Sequence, residues 1–290
     1  MKQGESAHHD AVELAVSVPP LMLEARELAA SFINGQHGRR RYGWGDEFWQ
    51  FKPFVNGVDR LADIDWRRSA KSDQTFVRQT EWRVPQALSL WVDPSETMRL
   101  SGPPTKSHRA MVLALALGIC AEQAGEKISE IGQPVQSGFG SQHLQRIHDA
   151  FLKQTPSEYA DTMNVVFERK SKALLFSDFL GDLSVVEHFL ALAKASSVRG
   201  VLVQILTPQE MTFRFDGAAL FSSALGQITF HTNQAAALRQ DYLTRLADRR
   251  RRLERLAAAA GWDIYLHQLD HPPLEAMLAL YRCLTRRGNA

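Results

Sequence analysis

From residue 84 onward the sequence predicts a three-layer α/β fold built on a doubly wound, mostly parallel sheet. Apolar runs rich in valine, leucine and isoleucine at residues 87–92, 172–176 and 200–206 have the length and composition of strands buried on both faces. Helical patterns separate these runs. Strands that alternate with helices of this length are joined by right-handed β-α-β units, which build a mostly parallel sheet.

The remaining elements of this predicted domain, residues 84–290, follow from the same periodicities. Two further short strands are predicted at residues 127–131 and 263–269. Helices are predicted, in chain order, at residues 106–125, 141–153, 183–196, 234–260 and 274–286.

The amino-terminal part has a different texture. Residues 1–18 are polar and are expected to form a mobile lead-in. Residues 21–33 show a helical pattern that ends at Asn34-Gly35, and residues 37–83 are rich in Gly, Trp, Arg and Asp, which is typical of turns joining short strands. Residues 75–82 alternate as a strand does. The predicted organisation is therefore a lead-in (1–18), a helix with a small β module (19–83) and the α/β domain (84–290).

Bulk composition narrows the function classes. The chain has 290 residues, 44% of them hydrophobic, and a formal net charge of +2, which is too small to indicate a nucleic-acid partner by net field alone. Its two cysteines, Cys120 and Cys283, lie in apolar helical patterns and are expected to be reduced core residues. Residues 1–10 are too polar for a signal peptide, and no apolar run reaches the roughly 18 residues of a membrane span. We expect a cytoplasmic protein.

The candidate site lies where two predicted strands end. Asp93, Ser95 and Thr97 follow the first strand, and Asp178 follows the strand at 172–176. In open α/β sheets, ligands bind at the carboxyl ends of strands, and oxygen-rich side chains are the ligands that Mg²⁺ prefers. The loop at residues 136–142 offers Ser137 and Ser141 as further hydroxyls. The sequence therefore predicts a sparse Mg²⁺ site that binds tightly only when a partner adds an acidic ligand.

Structural alternatives to these motifs stay open. Asp93 could cap a turn, and Ser177-Asp178 could cap a following helix. The basic runs at residues 39–41 and 249–252 could contact phosphate. The second run is accompanied by Asp248 and Glu254, which favours a solvated helix face with ion pairs.

Several motifs together resemble the bacterial domain-of-unknown-function 58 proteins, which carry a von Willebrand factor type A-like domain. The resemblance covers nearly the whole chain, and the residues that carry it are Gly43-Trp44-Gly45-Asp46-Glu47-Phe48, Gly57-Val58-Asp59-Arg60, Asp63-Ile64-Asp65-Trp66-Arg67, Ala70, the Asp93 motif through Met98, and Ser177-Asp178-Phe179-Leu180. Val58 stands where the family usually has an aspartate. No threonine stands in the second metal loop, so Ser137 or Ser141 would have to replace it.

The resemblance implies a non-enzymatic protein-binding module. In such domains the first-strand motif holds a divalent ion, here Mg²⁺ on Asp93, Ser95, Thr97, Ser141 and Asp178, and an acidic side chain of a client protein completes the site. It also implies a MoxR-type AAA+ ATPase as partner in chaperone-like assembly or maturation. The alternative is a phosphohydrolase with Asp93 as nucleophile, because an aspartate that ends the first buried strand is also how aspartyl-phosphate enzymes begin.

Overall fold

A computed structural model describes residues 20–35, 48–53, 69, 75–80, 87–131, 137–155, 167, 171–224 and 229–285. The helices are α1 (Pro20–Gly35), α2 (Lys106–Gln123), α3 (Ser141–Lys153), α4 (Leu183–Ala195), α5 (Pro208–Thr212), α6 (Arg239–Ala259) and α7 (Pro273–Thr285). The strands are β1 (Phe48–Pro53), β2 (Phe76–Thr80), β3 (Ala87–Val92), β4 (Lys127–Glu130), β5 (Lys172–Ser177), β6 (Arg199–Leu206), β7 (Ala219–Ser222), β8 (Thr229–Thr232) and β9 (Asp263–Gln268).

Five of these strands form one parallel sheet in the order β4-β3-β5-β6-β9. The sheet forms because its central strands are largely apolar, and all six residues of β3 are buried. Helices cover both faces, so the predicted three-layer, doubly wound α/β fold is confirmed.

Alternation along the strands divides the core into two layers. Leu90, Phe176 and Val203 point to a cluster shared with α1, α2, α3 and α7. Their neighbours Trp91 and Leu175 point to a second cluster shared with α4 and α6. Side chains of successive strand residues face opposite sides of a sheet, so a strand covered on both faces has no polar side.

The chain divides into two compact units, residues 1–39 with 86–290, and residues 40–85. Helix α1 belongs to the first unit, because its apolar stripe of Met22, Ala25, Ala29 and Phe32 is buried in the same core as α2 and α7. The sequence pattern alone groups this helix with the β module (residues 19–83). The predicted lead-in at residues 1–18 lies outside the described residues.

In the second unit, β1 and β2 pair antiparallel, and Ser69 Oγ accepts a hydrogen bond from Phe76 N at 2.8 Å. The aromatic and acidic motifs at residues 43–47 and 57–67 lie outside the described residues.

A short antiparallel hairpin, β7 with β8, was not predicted. Its strands have four residues each, and β8 is exposed along most of its length, so the hairpin has no buried face to create a hydrophobic pattern. A turn of 3₁₀ helix, Ala235–Leu238, precedes α6, where the sequence predicted one continuous helix.

None of the helices in the described ranges combines the length and the apolarity that crossing a membrane needs.

Candidate functional site

The candidate site lies at the carboxyl edge of the sheet, where the strand order reverses. From β3 the chain passes through α2 to β4 on one side, and it then returns to β5 on the other side of β3. The two neighbouring strands β3 and β5 therefore send their following loops in opposite directions and leave a crevice between them. We call the residues that line their carboxyl ends the switch-point site: Asp93, Ser95, Thr97, Ser177 and Asp178.

Asp93 is held in place by both loops. Its backbone N donates to Phe176 O at 2.9 Å, which extends the β3–β5 ladder by one residue. Its Oδ1 accepts from Ser95 N at 2.8 Å in an Asx turn, and its Oδ2 accepts from Ser177 Oγ at 2.5 Å. Ser177 Oγ in turn accepts from Phe179 N at 2.9 Å. The structure thus joins the two strand ends through one carboxylate.

Burial is the main influence on the pKa of Asp93, a residue that is only 2% exposed. Burial raises the pKa of this carboxyl above its usual range, although hydrogen bonds from Ser177 and Ser95 act in the opposite direction. The negative charge of Asp178 raises the pKa further. A cation near Asp93 would favour its ionised form.

Asp178 already has a cationic partner, Lys106, at the first residue of α2. Lys106 Nζ donates to Asp178 Oδ2 at 2.8 Å and to Glu210 Oε1 at 2.5 Å. The side chains of Lys106 and Asp178 are 1% and 2% exposed, whereas that of Glu210 is 25% exposed. Asp178 Oδ1 accepts a hydrogen bond from Leu180 N, and the backbone carbonyl of Asp178 accepts one from Gln204 Nε2 at 2.9 Å.

The two carboxylates keep this buried ammonium charged. Burial alone would lower the pKa of Lys106, but the charges of Asp178 and Glu210 outweigh it and raise the pKa. Glu210 is positioned by a capping box in α5, where its Oε2 accepts from Thr207 N and Thr207 Oγ1 accepts from Glu210 N.

Sequence reasoning missed Lys106, although one signal was present. A lysine in the first turn of an otherwise apolar helix opposes the helix dipole, so its placement needs a nearby anion. The Thr207-x-x-Glu210 pattern after β6 likewise indicated a helix start. No sequence pattern connected either of these residues with Asp178, which lies 72 positions from Lys106.

Ser141 lies far from the other predicted ligands. After β4 the chain turns back, and Gly138 pairs antiparallel with Ile128, which is level with Leu88 in β3. Leu88 precedes Asp93 by five residues, or about 17 Å along a strand. Ser141 begins α3 in this region, and His143, two residues later, contacts Ile128 O at 2.7 Å.

The residue that follows α3 also contacts β4. Gln154, which follows α3, donates to Glu130 Oε1 at 2.6 Å near the carboxyl end of β4. The sequence alone predicts that residues 136–142 form a loop at the carboxyl edge of the sheet. The reversal beside β4 removes Ser141 from the switch-point site.

The remaining donors fit a hard cation in part. Ser95 Oγ and Thr97 Oγ1 are 3.0 Å apart, which is about the separation of adjacent ligands in an octahedral Mg²⁺ shell with bonds near 2.1 Å. Asp93 adds a carboxylate beside them. Asp178, in contrast, is bonded to Lys106. Over the described ranges, no group of three or more His, Cys, Asp or Glu side chains is arranged to hold a metal.

The structure adds no support for the phosphohydrolase alternative. A general acid two residues after the nucleophile would have to be Ser95, whose hydroxyl is no acid at neutral pH. Both carboxylate oxygens of Asp93 already accept hydrogen bonds, Oδ1 from Ser95 N and Oδ2 from Ser177 Oγ.

Comparisons with known proteins give one family. The family model described as "Protein of unknown function DUF58" matches residues 50–252, well over half of the chain. Comparison with curated proteins gives no match. Among solved structures, the crystal structure of an uncharacterized membrane spanning protein from Vibrio fischeri is 13% identical, and the alignment covers 70% of this chain and 100% of that chain. Its TM-score is 0.19, which does not establish a shared fold.

Proposed function

The chain belongs to the DUF58 family of proteins of unknown function, and from that premise we propose that it is a non-enzymatic protein-binding module. Its binding face is the carboxyl edge of the sheet around the switch-point site. The observation that carries the proposal is the bonding of Asp93 to Ser177, which joins the ends of β3 and β5 at the reversal of strand order. The von Willebrand factor type A likeness of the motif supports the same reading.

Within this proposal, Asp93, Ser95 and Thr97 hold a divalent cation, Mg²⁺. The bound ion would supply a coordination position that the carboxylate of a client protein completes. Ser177, on the neighbouring strand, orients Asp93 by donating a hydrogen bond from its Oγ to Asp93 Oδ2 at 2.5 Å. The hydroxyls of Ser95 and Thr97 are preorganised by their mutual hydrogen bond.

Lys106 accounts for weak binding of the ion in the absence of a partner. Because Asp178 is bonded to Lys106, Asp93 is the carboxylate of the switch-point site that is left to bind the ion. Ligand charge is one of the main determinants of affinity for hard cations. An acidic side chain from a partner doubles the negative charge around the ion, so affinity for Mg²⁺ and affinity for the partner rise together.

We propose a MoxR-type AAA+ ATPase as the working partner, in chaperone-like assembly or maturation of a client protein. Family resemblance supports this part of the proposal. The direct experiment is co-purification of the ATPase from the same cell with the tagged full chain, in Mg²⁺ and in EDTA.

We expect capture in Mg²⁺ to fall about ten-fold or more in EDTA and in Asp93→Asn, because both remove the ion's anchoring charge. Asp263→Asn is the matched control, since Asp263 is an exposed carboxylate at the first residue of β9, at the opposite edge of the parallel sheet from Asp93. Capture that is equal in all four conditions would reject the cation-dependent site. Hydrolysis of generic phosphate esters that disappears in Asp93→Asn would instead establish the phosphohydrolase.

A further inference from the structure

A basic groove lies between the start of α4 and the middle of α6. It has a volume of about 420 Å³ and is lined by Asp182, Leu183, Asp248 and four arginines: Arg249, Arg251, Arg252 and Arg255. Four guanidinium groups and two carboxylates give this lining a formal excess of two positive charges. We call it the arginine groove.

The arginine groove shares two lining residues with a small cavity at the switch-point site. Asp182 and Leu183 line the groove, and they also line a small cavity of about 10 Å³ that reaches Asp93 and Ser177. From the groove, Arg249 Nε donates to Phe179 O, one residue after Asp178, at 2.6 Å. The groove therefore lies beside the loop that follows Asp178.

The ion pairs inside the groove are weak enough to be exchanged. Arg251 pairs with Asp248, and both side chains are more than half exposed. Arg252 is 3.7 Å from Glu187, and this pair is equally exposed. Exposed pairs of this kind contribute about 0–1 kcal/mol. Asp182 is occupied elsewhere, since it accepts from both the backbone N and the hydroxyl of Ser184.

We infer that the arginine groove binds an acidic peptide segment of a partner protein. This inference deepens the protein-binding role proposed above and rests on it. Guanidinium groups bind carboxylates in bidentate geometry. A carboxylate of a bound peptide would find more guanidinium groups than carboxylates in the groove lining. The arginines span residues 249–255, about 9 Å of helix, which an extended peptide covers with acidic side chains at alternate positions.

The same geometry favours a peptide over a nucleic acid. A stretch of about 9 Å faces only about three phosphates of one DNA strand, which are spaced about 3.4 Å apart along the helix axis, and affinity for DNA grows with the number of phosphates contacted. Asp182 and Asp248 also interrupt the positive lining. Net charge does not compensate, because the whole chain carries only +2.

The test measures fluorescence anisotropy of labelled hexaglutamate, hexaglutamine and a random single-stranded DNA 20-mer with the full chain. The groove variant is Arg251→Gln with Arg255→Gln. The control is Arg245→Gln with Arg250→Gln, which removes the same charge from exposed positions of α6 outside the groove. We expect the dissociation constant for hexaglutamate to rise roughly ten-fold in the groove variant and less than about two-fold in the control.

Equal losses in the two variants would overturn the inference, as would undetectable hexaglutamate binding or equal binding of hexaglutamine. DNA that binds more tightly than hexaglutamate with the same dependence on the groove would assign it to phosphates and overturn it as well. If peptide binding depends on the groove but capture of the ATPase is the same with and without Mg²⁺, the cation-dependent site is rejected and the groove is retained. Mg²⁺-dependent capture with no peptide binding rejects the groove alone.

Discussion

Replacing Lys106 with methionine is expected to destabilise the protein by about 3–5 kcal/mol, because it leaves a buried carboxylate without its counter-charge. Lys106 and Asp178 are almost fully buried, and their nitrogen–oxygen distance is 2.8 Å. Methionine fills about the same volume but cannot compensate the negative charge of Asp178. The measurement is denaturant unfolding of the wild type and of Lys106→Met at neutral pH.

Two matched variants show whether charge is the cause. Adding Asp178→Asn to Lys106→Met removes the uncompensated charge, so most of the lost stability returns. Arg250→Gln breaks an exposed pair with Glu254 and costs less than about 1 kcal/mol. If Lys106→Met unfolds at the wild-type denaturant concentration, or if the double variant is no more stable than the single one, Asp178 does not depend on this lysine.

A methyl group at residue 200 is expected to destabilise the sheet by about 3 kcal/mol or more, beyond the range of ordinary overpacking. A Cβ on Gly200 would lie 2.0 Å from Ala173 O and 2.8 Å from the Trp262 ring. The carbonyl belongs to the backbone of β5, so it cannot rotate away. Relief requires the separation of β5 from β6, and this pair places Asp178 beside Gln204.

Gly102→Ala is the control for this substitution, because a Cβ at residue 102 meets no atom within 4 Å. It should change the free energy of unfolding by no more than about 1 kcal/mol. Thermal unfolding of the two alanine variants makes the comparison. A Gly200→Ala protein as stable as Gly102→Ala would contradict the tight approach of β5 to β6.

The sequence predicted the elements of the α/β domain well because its strands are buried on both faces. Largely apolar runs such as Ala87–Val92 and Arg199–Leu206 can be recognised without knowledge of their partners. It also placed Asp93 and Asp178 at strand ends, since each is the first polar acid after such a run.

What the sequence could not predict depends on contacts between remote residues. The ammonium of Lys106 donates a hydrogen bond to Glu210, which is 104 positions away in the sequence. Neither residue belongs to a sequence motif that predicts this contact. The position of Ser141 depends on one antiparallel bridge, Gly138 with Ile128, which reverses the chain at the sheet. Local pattern carries no information on such a reversal, because glycine-rich loops between strand and helix look alike in either direction.

The central claim is that a divalent cation binds at the end of β3. It is tested most directly by anomalous scattering from crystals of the full chain grown with Mn²⁺ in place of Mg²⁺. The account predicts a peak within coordination distance of the Asp93 carboxylate and of the Ser95 and Thr97 hydroxyls, and no direct contact with Ser141. Crystals that bind Mn²⁺ elsewhere, while Asp93 keeps only its bonds to Ser95 and Ser177, would contradict it.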